Sequence, residues 1–284
     1  MFLKSIALYH NINIELHASA EMKQKFIERD PKVGDTIFNQ RSVEKDFRTL
    51  IPSIKKNMHV LDVGCGTGAI SAGIAKLVGS SGSVTAIDHT AHFIANGKLA
   101  FAEVKNLTLI EADIFSFETE QKFDLIVAAR VLQWLSRPQE ALEKMKLLLK
   151  PGGQISILDY NHTALEFSPQ PPKSMQNFYT KWLQWRNDAG MNNQISEDLP
   201  SYFKNIGMKN IQVENSNEVY TKGQANFESK IGIWAKVADT QQMEKEAYCT
   251  QQEQQLVISE YNYWIKNSAK HMEMKLKEVR GWIE

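Results

Sequence analysis

The sequence predicts an α/β protein built on a largely parallel sheet, and three observations carry that prediction. Between Met58 and Tyr160 short β-rich runs alternate with helical stretches, the rhythm of parallel strands joined by crossover helices. The strand segments are nearly continuous apolar runs, as burial on both faces of a parallel sheet requires. Proline and glycine fall where the alternation changes type. Pro138 suits a first helical turn, and Pro151 with Gly152 and Gly153 stops that helix before the next strand.

In chain order the predicted strands are MHVLDV, SVTAID, LTLIEA, DLIVAA and QISILDY, and the helices AISAGIAKLV, HFIANGKLAFAEV and PQEALEKMKLLLK lie between them. Residues 1–45 read as a helical N-terminal extension broken at ERDPKVGD, and residues 46–160 as the core of a single domain. After Tyr160 the pattern changes. A polar loop containing Pro169, Pro171 and Pro172 leads into SMQNFYTKWLQWRNDAG, where Phe178, Trp182 and Trp185 recur at helical spacing, so residues 161–207 read as a helical cap insertion. Residues 208–284 supply the last two strands, MKNIQVENSNEVY and MEMKLKEVRGWIE, with two helical stretches between about Asn226 and Asn267.

Hydrophobic residues make up 43% and charged residues 23% of the 284, so the chain can bury a sizeable core. Thirty-three basic residues against 33 acidic ones leave no net charge, which argues against a protein that lives on nucleic acid or on an anionic membrane. The opening MFLKSIALYHNINIE is too short in apolar run for a secretory signal, and no stretch approaches the roughly 18 apolar residues of a membrane span. The expectation is a soluble, cytoplasmic chain. Cys65 and Cys249 belong to no C-x-x-C or Cys/His spacing, so reduced thiols are expected, with neither a disulfide framework nor a metal site.

VLDVGCGTGAIS, from Val60 to Ser71, places strand, glycine-rich turn and helix in that order. Such a turn presents backbone N–H groups and admits a ligand close to the main chain. Spacing alone leaves the ligand open, because Gly64, Gly66 and Ala69 also satisfy the dinucleotide fingerprint G-x-G-x-x-G/A. Asp88 ends the second strand, where a carboxylate can accept hydrogen bonds from a ribose diol, and a nicotinamide enzyme would want the same group. Asp62 discriminates. Two positions before the first glycine, its charge would repel a pyrophosphate but suit a ligand carrying an ammonium and a sulfonium.

VLDVGCGTG resembles the signature of class I S-adenosylmethionine-dependent methyltransferases, and four further segments match that family in order. VTAID resembles the ribose-binding segment at Asp88. LIEADIFSF resembles the segment in which Asp113 would hold the adenine amino group and the backbone of Ile114 would meet the ring. FDLIVAARVLQWL resembles the fourth strand and the stretch lining the methionine end, implying roles for Ala129 and Arg130. LLLKPGGQISILDY resembles the helix, turn and fifth strand that follow. The resemblance implies a Rossmann-like three-layer sandwich with a seven-stranded, mostly parallel sheet. It implies S-adenosyl-L-methionine as cofactor, held by Asp62, Gly64, Cys65, Gly66, Gly68, Asp88, Asp113 and Ile114. His89 stands where the family often has an apolar residue over adenine. In FNQRSVEKDF, Arg41 resembles the arginine that some members send to the donor carboxylate, and a solvated surface arginine is an equal reading.

In an open α/β sheet the ligand lies beyond the carboxyl ends of the strands where strand order reverses, here between the first and fourth strands. Arg130, Gln133 and Trp134 would then face the methyl group from one side, and Tyr160, Asn161 and His162 from the other. Methyl transfer from a sulfonium needs positioning more than acid–base chemistry. His162 is the candidate base, with a structural loop histidine as the alternative. Trp182 and its aromatic neighbours either wall an acceptor pocket or pack the core. The functional expectation is transfer of a methyl group to a small organic acceptor. The alternatives are methylation of tRNA or protein, a non-catalytic donor-binding protein, and a nicotinamide oxidoreductase that Asp62 disfavours.

Overall fold

The computed structural model describes Ile27 and residues 40–284. Among these residues eight strands form one sheet: β1 (His59–Val63), β2 (Ser83–Asp88), β3 (Leu107–Glu111), β4 (Phe123–Ala129), β5 (Leu149–Ser168), β6 (Lys209–Asn215), β7 (Glu218–Thr221) and β8 (His271–Trp282). The first five are parallel, in the spatial order β3-β2-β1-β4-β5. β8 pairs antiparallel with β5, and β6 and β7 both pair antiparallel with β8. The order reverses between β1 and β4, which opens a crevice at their carboxyl ends.

The helices are α1 (Val43–Asp46), α2 (Ala69–Val78), α3 (Ala91–Ala100), α4 (Pro138–Leu147), α5 (Lys173–Asp188), α6 (Ile195–Asn205), α7 (Phe227–Ile231), α8 (Ile233–Ala238), α9 (Gln241–Lys245) and α10 (Gln251–Asn267). Their starts follow local chemistry. Pro138 occupies the first turn of α4, and α10 opens with a reciprocal capping box between Thr250 and Glu253. One face of the sheet buries its apolar side chains against α2, with Ile70, Ile74 and Val78, and continues without a break into Trp182, Trp234 and Tyr261 of the cover helices. The other face packs on Leu142 and Met145 of α4 and Leu199 and Phe203 of α6. No helix among the described residues is long and apolar enough to cross a membrane.

Three features differ from the sequence-based expectation. The predicted sixth strand is interrupted, so the sheet counts eight strands instead of seven. Asn217 bridges the break: its Oδ1 accepts from the Leu276 N–H at 3.0 Å, and the N–H of Ser216 donates to the Leu276 carbonyl at 3.1 Å. The predicted loop after Tyr160 is instead the second half of β5, paired with β8 from Asn161↔Lys275 to Ser168↔His271. A register shift between Asn161 and Glu166 breaks the period-2 alternation there, which conceals the strand from pattern reading. Finally, residues 226–267 fold as four helices, with α7 to α9 too short to show a period. Of the expected N-terminal extension, all but Ile27 and residues 40–45 lies outside the described residues.

Candidate active site

The glycine turn leaves β1 at Val63 and enters α2 at Ala69, with Gly64, Gly66 and Gly68 at φ of 70°, 57° and 81°. These are left-handed conformations that side chains rarely adopt. At Gly64 space forbids one as well, since a Cβ would lie 2.4 Å from Cγ2 of Val131. The turn is tied to β2, because the N–H groups of Gly64 and Cys65 both donate to the Ile87 carbonyl, at 2.7 and 3.0 Å. α2 starts on Gly68 with no side-chain cap, so the N-terminal N–H groups of this ten-residue helix face the turn.

Asp88 anchors the other side of the turn. Its Oδ2 accepts from the Gly66 N–H and its Oδ1 from the Thr90 N–H, both at 2.9 Å. Each oxygen retains a lone pair that a ribose hydroxyl could use. His89 beside it is half-exposed, with Nδ1 3.9 Å from Asp88 Oδ1. Asp113, one strand further, orders its own turn by accepting from the Phe115 N–H at 2.8 Å, and Ile114 is buried behind it. Asp62 is buried, and its Oδ2 accepts from the Ser71 hydroxyl at 2.6 Å. Burial pushes its carboxyl up to about 7; the Ser71 hydrogen bond opposes this and the charge of Asp88 adds to it. Burial, with the charges of Asp62 and Asp88, likewise raises the Cys65 thiol well above its ordinary value, which denies it thiolate reactivity.

Asp62 yields a pH prediction. With an ordinary value of 3.8, between about pH 4 and 7 the folded chain holds a proton that the unfolded chain has released. That stabilising contribution is complete at low pH and is lost as pH rises through 7. Asp159, pushed up to about 6 by burial, acts in the same direction. Asp62→Asn should therefore flatten the decline in melting temperature between pH 5 and 8. An unchanged slope would show that another group titrates.

The residues expected at the methyl-facing side do not converge as free side chains. Arg130 follows β4 with φ 62°, unusual for a side-chain-bearing residue, and its buried guanidinium is wholly engaged. Nε donates to the Tyr160 hydroxyl at 2.8 Å, one terminal nitrogen to Asp46 Oδ1 at 2.6 Å and the other to Glu218 Oε1 at 2.5 Å. Arg41 also pairs with Asp46, at 3.1 Å. Burial works against ionisation of Asp46 and Glu218, but the Arg130 and Arg41 guanidinia hold both carboxyls below their ordinary values. Both arginines expected to face the donor are thus turned, through their side chains, into an internal ion cluster. Ala129 ends β4 opposite Leu158.

Gln133, His162 and Arg186 form a second buried network. Gln133 Nε2 donates to the Arg130 carbonyl at 3.4 Å, which turns Oε1 toward His162 Nε2 at 2.6 Å. The two side chains are thus joined through His162 Nε2 and the Gln133 amide. Burial first, and the charge of Arg186 second, hold the imidazole well below its ordinary value, which favours the neutral ring. Arg186 donates to the Gln133 carbonyl at 2.8 Å and lies 4.4 Å from the Trp134 ring centroid and 4.7 Å from that of Trp182. Around this network Tyr160, His162, Tyr179, Trp182 and Trp234 pack ring against ring with centroids 4.8 to 5.6 Å apart for the pairs in direct contact.

Sequence reading missed four contributors. Asp159, whose Oδ2 accepts from the Gln133 N–H at 3.1 Å, sits in the middle of β5 and was visible in ISILDY. Arg186 stands beside Trp185 in the aromatic helix. Asp46 and Glu218 carried no local signal, being 84 and 88 residues from Arg130.

A glycine turn at the reversal of strand order, carboxylates toward the ends of β1 and β2 and an aromatic enclosure along β5 thus lie together on one side of an α/β sheet. Comparison with known proteins gives the family. Residues 54–256 match the family described as a methyltransferase domain, and the chain belongs to it. It is an S-adenosylmethionine-dependent methyltransferase. A demethylmenaquinone methyltransferase from Staphylococcus aureus is 28% identical over 178 residues, covering 57% of this chain and 72% of the relative. The fold is shared with phosphoethanolamine N-methyltransferase 2 of Haemonchus contortus, solved with S-adenosylhomocysteine, at a TM-score of 0.55 and 16% identity. That alignment covers 92% of this chain and 59% of the other, so this chain spans little more than half of that protein's length. The YcgJ protein of Bacillus subtilis shares the fold at a TM-score of 0.54 and 14% identity, covering 84% of this chain and 98% of the other.

Proposed function

We propose that this protein methylates a small organic acceptor enclosed by the aromatic cluster beyond β4 and β5, with the donor lying along the glycine turn. The single observation that carries this reading is the hydrogen bond from the Gly66 N–H to Asp88, which sets a carboxylate beside the left-handed backbone of the turn at the switch point. When bound, S-adenosylmethionine supplies a methyl group on a sulfonium, transferable by in-line displacement without a metal. The chain's own residues bind and orient. Asp88 takes the ribose hydroxyls, Asp113 and the Ile114 backbone the adenine edge, and His89 covers the ring. The Gly64–Gly68 turn, including the Cys65 backbone, follows the amino-acid end. Asp62, whose carboxyl burial raises to about 7, would ionise beside a cationic ligand, whereas a pyrophosphate would hold it protonated.

The acceptor side belongs to Gln133, Trp134, Tyr160, His162 and Trp182, which exclude water. Alignment in such an enclosure supplies about 7–11 kcal/mol of barrier reduction, so a strong base is not needed. Relatives named for demethylmenaquinone and phosphoethanolamine support a small acceptor. Against tRNA, the arginines nearest the site, Arg130 and Arg186, are buried and engaged with internal partners instead of being displayed for phosphates. A neutral chain with free thiols at Cys65 and Cys249 fits the cytoplasm.

Asp88→Ala tests the donor placement. It deletes charge-assisted hydrogen bonds worth about 1.5–3 kcal/mol, so the dissociation constant for S-adenosylhomocysteine, read by calorimetry, should rise about 10- to 100-fold. An affinity indifferent to the change would remove the ribose from this carboxylate.

A further inference from the structure

The cover helices and the donor side of the sheet meet at one short segment. Between β4 and α4 the chain makes a single 3₁₀ turn, Leu132–Trp134, and both backbone groups of Gln133 inside it are held by side chains of other elements. The Gln133 N–H donates to Asp159 Oδ2 at 3.1 Å, and the Gln133 carbonyl accepts from a terminal nitrogen of Arg186 at 2.8 Å. Its side chain is tied as well, to the Arg130 carbonyl at 3.4 Å and to His162 Nε2 at 2.6 Å. So short a turn has few bonds of its own: the Trp134 N–H meets the Val131 carbonyl at 2.9 Å and the Leu135 N–H the Leu132 carbonyl at 3.1 Å. Its position is therefore set by the partners that grip Gln133.

Arg186 reaches this turn from α5, 53 residues further along the chain, and is 0% exposed. Its guanidinium is aimed in advance. Nε donates to Asn193 Oδ1 at 2.7 Å, Asn193 Nδ2 donates in turn to the Leu183 carbonyl at 2.9 Å, and the plane lies over the rings of Trp134 and Trp182. Burying a guanidinium carries a desolvation cost that an apolar side chain of the same size would not. What it adds is a fixed place for the carbonyl it meets. At the other end of the turn, Val131 stands against the glycine loop: a Cβ on Gly64 would fall 2.4 Å from Val131 Cγ2 and 2.9 Å from its Cγ1. The isopropyl group thus fills the space directly beside Gly64. Arg186, Gln133, Val131 and Gly64 form one line from α5 to the glycine turn.

We propose that Arg186 is a positioning residue for the methyl donor: its hold on the Gln133 carbonyl keeps Val131 against Gly64 and sets the glycine turn for the amino-acid end of S-adenosylmethionine. This rests on the donor placement proposed above and adds to it a residue of the cover helices that acts through others. Without Arg186 the Gln133 N–H still has Asp159, so the turn pivots on that bond and Val131 moves relative to Gly64. The adenosine half of the donor, assigned to Asp88 and Asp113, lies outside this line.

The test is calorimetric titration of the full chain and its variants with two ligands, S-adenosylhomocysteine and 5′-methylthioadenosine, which keeps the adenosine and the thioether but lacks the amino-acid end. Arg186→Met should weaken S-adenosylhomocysteine about tenfold and 5′-methylthioadenosine by less than about twofold. A purely structural role would lower the melting temperature and leave the ratio of the two affinities unchanged. Val131→Ala cuts the line beside Gly64. It should itself weaken S-adenosylhomocysteine, and adding Arg186→Met to it should cause no further loss. Equal losses for the two ligands overturn the inference, as does no loss for either, or an Arg186 effect that persists undiminished beside Val131→Ala. If Arg186→Met fails to fold, Asn193→Ala reads the same ratio, because it leaves the guanidinium in place but takes the acceptor from Nε. A ratio shifted toward 5′-methylthioadenosine then supports the proposal and an unchanged ratio overturns it. Failure of S-adenosylhomocysteine to bind the unaltered chain would instead count against the donor site.

Discussion

Arg130→Met should lower the unfolding free energy by about 3–5 kcal/mol, the range measured when one partner of a buried ion cluster is removed. The loss arises from what stays behind more than from what leaves. Asp46 would keep its buried position and Glu218 its partly buried one without the guanidinium that holds them ionised, and Tyr160 would lose the Nε donor at 2.8 Å. The pH dependence follows with a definite sign. In the unaltered chain both carboxyls titrate below their ordinary values, so Arg130 contributes stability above about pH 4.5 that is lost as pH falls through their folded values. In the variant those carboxyls bind protons readily, so the deficit should be largest near neutral pH and shrink toward pH 4. A triple variant that also carries Asp46→Asn and Glu218→Gln should recover much of the loss, because no uncompensated charge remains. Denaturant melts at pH 7 and pH 4.5 read both effects. A deficit below about 1 kcal/mol, the scale of an exposed pair, would show that the cluster is solvated.

Gly97→Ala should disable donor binding without touching the donor. Gly97 lies inside α3, where alanine normally stabilises a helix by about 1 kcal/mol. Here a Cβ would lie 2.4 Å from the Thr67 carbonyl oxygen and 3.0 Å from Leu109 Cδ1. The first of these is backbone of the glycine turn itself and cannot rotate away. Either α3 withdraws or the turn shifts, and the turn is the element that Asp88 and Ile87 hold in register. A misplacement near 1 Å can cost about 100-fold in rate, so methyl transfer should fall by that order and S-adenosylhomocysteine affinity at least tenfold. A variant with unchanged affinity and a higher melting temperature would mean that the helix, not the turn, gives way.

The first five strands, the glycine turn and the carboxylates at positions 62 and 88 were legible in the sequence because each rests on a local pattern. Apolar runs of strand length, glycines where φ must be positive and acids at strand ends are consequences of neighbouring residues alone. The second half of β5 was not legible, since the register shift near Asn161 disrupts the alternation and its pairing partner lies more than a hundred residues away in β8. The fate of Arg130 was equally hidden. Its position after β4 suggested a ligand contact, yet tertiary folding brings Asp46 and Glu218 against it, and two desolvated carboxylates hold a guanidinium more firmly than solvent can. His162 shows the same division. The sequence reading set it in a loop after the fifth strand, whereas it lies within β5, and its environment depends on helices α5 and α8 closing over it and on Gln133 and Arg186 reaching it from elsewhere. Sequence by itself determined the strand, glycine turn and helix of the proposed donor cradle, because their propensities act over a few residues. Tertiary structure decided which side chains remain free to meet the acceptor, because burial and pairing depend on residues that only the folded chain brings together.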